Sequence, residues 1–152
     1  YRYLICNHSY HSTFTKNKSW NVGQFLDIDM MKQAAEVLKG EHDFSAFRSS
    51  NCSSPNTVKD IREISIGKSH FQNSILQIEI EANSFLQHMV RIIAGTLVEV
   101  GKGRISCADV EKALNKGDRN LAGSTAPAHG LYSLKVIYPE GFVSWPPEVI
   151  DN

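Results

Sequence analysis

A chain of 152 residues has the length of one ordinary domain and can bury roughly 70% of the surface its unfolded form exposes. Lys and Arg total 16 and so do Asp and Glu, which excludes a strongly basic nucleic-acid coat but leaves room for a local basic face. At 41% hydrophobic and 21% charged residues the composition is globular, and no apolar run approaches the roughly 20 residues that span a bilayer.

The chain begins with an alternating run, Tyr1-Arg2-Tyr3-Leu4-Ile5, and residues 1–7 read as a strand. Opening in mid-strand without Met suggests a piece of a longer protein. Residues 8–26 carry His8, His11, Lys16 and Lys18 and no acid, so a basic loop or loose hairpin is expected. Asp27 or Asp29 can cap a helix over 29–39, where Met30, Ala34, Val37 and Leu38 keep helical spacing and Gly40 stops it. The Ser/Asn-rich stretch 42–56 reads as loop, with room for a short helical turn near Phe44 to Phe47.

Two strands follow, 57–66 and 74–82, and the second alternates almost perfectly, which implies one buried face. A helix over 84–100 ends at Gly101, and Ser106 caps another over 107–115 that Gly117 closes. After an irregular stretch, a last strand over 131–138 stops at Pro139, and 140–152 is a Pro-rich tail outside the domain at 1–139. The order β-α-β-β-α(α)-β is ferredoxin-like: an α+β fold with helices on one face of an antiparallel sheet.

Three cysteines, Cys6, Cys52 and Cys107, form no C-x-x-C pair, so neither a disulfide framework nor a cysteine-rich zinc site is legible. A reducing, cytoplasmic setting is expected. His8 and His11 lack a third ligand nearby and make a weak zinc site.

The helix expected over 84–100 is apolar nearly all round, with Leu86, Val90, Ile93, Leu97 and Val100 on one stripe and Phe85, Met89 and Ile92 beside it. Arg91 stands in its middle. Arg keeps its charge, so a covered Arg needs an anion or a path to water. A structural ion pair would meet that need; so would a catalytic carboxylate or an RNA phosphate.

Phe85-Leu86-Gln87-His88-Met89-Val90-Arg91, with Gly95 and Val98-Glu99-Val100-Gly101 behind it, resembles the central helix of TruA-type tRNA pseudouridine synthases. Three further stretches resemble that family in order and spacing. They are Tyr1-Arg2-Tyr3, then 40–48 (GEHDFSAFR), then Asp118-Arg119 with 122–132 (AGSTAPAHGLY) and Tyr138-Pro139. Gln87, Ile92 and Ser133 depart from the usual pattern beside the motif cores. The Gly-Arg-Thr-Asp motif that carries the family's nucleophilic Asp does not occur here, and no Asp of this chain has its neighbours. The chain therefore resembles the C-terminal half of such an enzyme.

The resemblance implies an isomerase that converts uridine to pseudouridine in the tRNA anticodon stem-loop, without cofactor or metal, as a homodimer. It implies that Arg91 pairs with the absent Asp, that Tyr1 packs on the flipped base and that Leu131 walls the pocket. Arg48 could hold a phosphate, and Lys16 and Lys18 with His8 and His11 form a patch suited to steering tRNA. A non-catalytic ferredoxin-like RNA-binding module is the alternative. It is disfavoured because strand 74–82 offers only aliphatics where such modules place base-stacking aromatics. A small-molecule regulatory domain would suit the zero net charge but leaves the Thr125-Ala126-Pro127-Ala128 stretch unexplained.

Overall fold

The computed structural model describes residues 1–7, 15–69 and 75–138. The tail at 140–152, Pro139, His8 and His11 lie outside the described residues. In chain order the elements are β1 (Arg2–Cys6), β2 (Trp20–Asn21), α1 (Ile28–Val37), β3 (Gly40–Asp43), β4 (Val58–Lys68), β5 (Ile75–Ala82), α2 (Met89–Gly101), α3 (Cys107–Lys116) and β6 (Leu131–Tyr132). The four expected strands join one sheet in the spatial order β6-β1-β5-β4, with every neighbouring pair antiparallel. This is the ferredoxin-like arrangement.

Alternation decides the faces. Tyr3 and Ile5 on β1, Ile78 and Ile80 on β5, and Ile61, Ile64 and Ile66 on β4 are buried on the helix side. Arg2, Glu79, Arg62 and Glu81 lie on the opposite side and pair across strands, Arg2 with Glu79 and Arg62 with Glu81. One face therefore packs a core and the other meets water. α1 packs on α2, α3 and β4, and α2 packs against β1.

Local signals set most helix ends. Asp27 Oδ1 accepts the N–H groups of Asp29 (3.1 Å) and Met30 (3.0 Å) at the start of α1. Ser106 and Asp109 form a reciprocal capping box on α3, and Gly117, in the left-handed region at φ 62°, ends it. The start of α2 differs from the sequence reading. Residues 84–88 are not helical, and His88 at φ 63° turns the chain into a helix that begins only at Met89. The Gln87 carbonyl instead accepts the Ser49 N–H at 3.0 Å, so the segment is held by the 42–56 loop rather than by a first helical turn.

Two strands were not legible. β3 pairs with β4 through Gly40↔Ile61 to Asp43↔Val58, and its polar residues take their extended form from that ladder. β2 is a two-residue parallel pairing with β1, Ile5↔Trp20 and Cys6↔Asn21. The last strand is shorter than expected. Only Leu131 and Tyr132 pair with β1, and residues 133–138 run on exposed.

The 122–127 segment sits directly on α2. A Cβ on Gly95 would fall 1.8 Å from the Ser124 carbonyl oxygen, and one on Gly123 would fall 2.6 Å from Thr96 Cα. Thr96 Oγ1 accepts the Gly123 N–H at 2.9 Å and donates to the Ile92 carbonyl at 2.8 Å. Glycine in a helix interior ordinarily costs about 1 kcal/mol relative to Ala, so Gly95→Ala should stabilise a free helix. Here the backbones must separate, and urea denaturation should show a net loss of roughly 1–3 kcal/mol; a gain would show that the segment does not seat on α2.

Candidate active site

Arg91 projects from the first full turn of α2 and is half-buried. Its Nε–H donates to the Ala126 carbonyl at 2.7 Å, while the Ala126 N–H donates to the Arg91 carbonyl at 3.1 Å. Backbone and side chain are thus tied to one residue of the 122–127 segment. Among the described residues the partner that Arg91 finds is a carbonyl dipole rather than an anion. The two terminal nitrogens of the guanidinium make no hydrogen bond or ion pair among the described residues. They form the planar fork that matches a carboxylate or phosphate.

The next residue brings in a tyrosine. Tyr3, fully buried on β1, donates its hydroxyl to the Pro127 carbonyl at 2.6 Å. Burial pushes the Tyr3 phenol well above its ordinary range, and the positive charge of Arg91 opposes that only in part. The phenol therefore stays protonated and serves as a donor. Leu131 lies across the ladder from Tyr3, half-buried, and Gly130 lies against the Tyr3 ring, where a Cβ would meet Cζ at 2.7 Å. Arg91, Ala126, Pro127, Tyr3 and Leu131 form one continuous neighbourhood.

Tyr1 occupies a different setting. It is 40% exposed, packs edge-on against Phe85 at 4.9 Å, and lines an open cavity of about 430 Å³ with Phe85, Glu79, Glu81 and residues 133–137. The tyrosine hydrogen-bonded into the Arg91 neighbourhood is Tyr3, which the sequence analysis does not single out; the Tyr-x-Tyr spacing is the signal that marks it. Arg119 was missed as well. Its Nη1 donates to the Gly123 carbonyl at 2.8 Å and to Ala122 at 3.3 Å.

The proposed RNA contacts lie apart. Arg48 Nη1 donates to the Ser54 carbonyl at 3.4 Å within its own loop. Lys16 and Lys18 are exposed. The Tyr132 hydroxyl donates to the Lys18 carbonyl at 2.7 Å, which anchors the basic segment beside β6. Lys16 and Asn17 share a cavity of about 310 Å³ with Trp20 and His129. Among the described residues no three His, Cys, Asp or Glu side chains converge in a metal-binding cluster, and no helix is long and apolar enough to cross a membrane.

Residues 34–139 match the family model described as tRNA pseudouridine synthase. The chain belongs to that family. It is 44% identical over 138 residues to a tRNA pseudouridine synthase A of Thermoanaerobacter sp. (strain X514), covering 91% of this chain and 55% of that protein. Similar matches are tRNA pseudouridine synthase A of Acetivibrio thermocellus, 41% identical with 91% and 55% covered, and that of Hydrogenovibrio crunogenus, 40% identical with 93% and 53% covered. The chain thus spans about half the length of these tRNA pseudouridine synthase relatives.

The Tyr3 environment is directly testable. A phenol whose folded value is raised contributes stability that is present below the ordinary phenol value of about 10 and lost as pH rises above it. Tyr3 should fail to ionise in an alkaline ultraviolet titration until the protein unfolds. Tyr3→Phe should remove that late-titrating group and, with it, the alkaline loss of stability; an alkaline titration left unchanged by Tyr3→Phe would contradict the assignment.

Proposed function

We propose that this chain supplies the arginine-bearing part of an active site that isomerises uridine to pseudouridine in tRNA, at the anticodon stem-loop. The reaction breaks the bond from ribose C1′ to N1 of uracil and forms one to C5, while C5 loses a proton and N1 gains one. The nucleophilic or stabilising carboxylate is contributed by an Asp outside this chain. The observation that carries the reading is the Arg91 guanidinium, held through Nε on Ala126 with both terminal nitrogens unpaired among the described residues.

A fork so held can take a carboxylate in two parallel bonds. It favours the ionised form of a carboxyl group that a poorly solvated pocket would otherwise keep protonated. Tyr3, kept neutral by burial, fixes the Pro127 end of the same segment, and Leu131 offers an apolar wall to a base that has left its stack. Tyr1, half-exposed beside Phe85, is the aromatic surface available to such a base. Arg48, Lys16 and Lys18 provide positive charge for the RNA backbone. No cofactor or metal enters this reading. A homodimer holding tRNA across both subunits and a cytoplasmic setting belong to it and rest on family membership.

Tritium release from tRNA labelled at uridine C5 tests the proposal. The chain alone should stay at background, because it lacks the nucleophile. In the full-length protein, Arg91→Ala should lower turnover on the order of 10²–10⁴-fold, since one partner of a covered ion pair is left alone at a cost of roughly 3–5 kcal/mol. Arg91→Lys should restore little, because an ammonium cannot reproduce the fork. Turnover by the isolated chain, or full activity of the Ala variant, would refute the reading.

A further inference from the structure

We propose that Arg119 is a positioning residue for the Arg91 guanidinium, acting through the backbone of residues 122–126. The inference rests on the active-site reading of Arg91. The segment runs between two arginines. On one side Arg119 Nη1 donates to the carbonyls of Ala122 (3.3 Å) and Gly123 (2.8 Å), and Nη2 donates to Thr125 Oγ1 at 3.4 Å. On the other side Thr96 Oγ1 and the Arg91 carbonyl accept the N–H groups of Gly123 and Ala126. The carbonyl of Ala126 then takes Arg91 Nε at 2.7 Å.

Arg119 is itself fixed at its base. Asp118 Oδ1 accepts the Asn120 N–H at 2.9 Å and starts the 3₁₀ turn Arg119–Leu121. Carbonyl oxygens along the segment are thus divided by direction. Those of Ala122 and Gly123 face Arg119, that of Ser124 faces Gly95, and those of Ala126 and Pro127 face Arg91 and Tyr3. Three peptide units separate Gly123 from Ala126. Releasing the Arg119 end frees the segment to rock about the Thr96 contact, and the carbonyl that aims Arg91 moves with it. The Thr96 bond and the Ala126 N–H bond remain, so the fold is kept while the direction of the fork is not.

The test uses the full-length protein with Arg119→Gln and Arg119→Lys. Steady-state kinetics on unmodified tRNA are read together with solvent exchange of the Arg91 Nε–H, whose NMR signal is assigned by its loss in Arg91→Lys. The Gln variant should lower kcat roughly ten- to hundredfold, because small misplacement of a positioned group costs that much. It should keep KM within about twofold and accelerate Nε–H exchange. The Lys variant, which reaches a single carbonyl, should recover part of both; if the Gln variant fails to fold, the Lys variant decides by the same two readouts. Unchanged kcat and unchanged exchange in a folded variant overturn the proposal. So does a rise in KM alone, which would make Arg119 an RNA contact. Full activity of Arg91→Lys would instead defeat the underlying reading of Arg91, leaving the two failures distinguishable.

Discussion

Backbone-to-backbone contact between α2 and the 122–127 segment is the constraint on which the rest of the site depends. Glycine at 95 and at 123 removes the side chains that would hold the two apart. Once they touch, the buried polar groups of the segment must find partners, because a buried amide left unsatisfied costs about 1–3 kcal/mol. Thr96, Arg91, Arg119 and Tyr3 provide those partners. The groups that satisfy the segment include Arg91, the residue on which the proposed function rests. Under that proposal, packing and function share the same hydrogen bonds.

Electrostatics follow from that packing. An isolated charge on a helix as apolar as α2 would be expensive. Arg91 is tolerated because its Nε is spent on a carbonyl while the rest of the group stays half-exposed. The arrangement meets the local need without consuming the fork. Tyr3 is the complementary case, a phenol that burial keeps neutral beside a permanent cation. A charged and an uncharged donor thus flank one backbone run, and among the described residues neither is paired with an acidic side chain.

Elements governed by near neighbours were legible in the residues. The alternation at 75–82 gave β5 and its buried face, and Asp27, Ser106 and Gly117 marked helix ends because caps are short-range hydrogen bonds. Where the reading failed, a distant partner had intervened. Phe85 and Leu86 extend the apolar pattern of α2, yet the Ser49 N–H takes the Gln87 carbonyl and His88 adopts a left-handed conformation. Gly40 to Asp43 carry no strand signal of their own and are extended because β4 lies alongside. Residues 133–138 have a strand-like pattern, yet among the described residues the ladder with β1 ends at Tyr132.

By itself the sequence determined the fold class, the family through its ordered motifs, and Arg91 as the charge that needed explaining. Pattern and spacing carry such information because it is local or covariant with chain order. Tertiary structure alone decided which atoms satisfy Arg91, that Tyr3 rather than Tyr1 shares its segment, and that Arg119 grips that segment from behind. The Arg91 and Tyr3 contacts join residues 35 and 124 positions apart, and the Arg119 contacts, though only three to six positions long, depend on the path the segment takes over α2. Their geometry depends on how closely two backbones approach, a distance that two glycines permit and that no periodicity in the chain encodes.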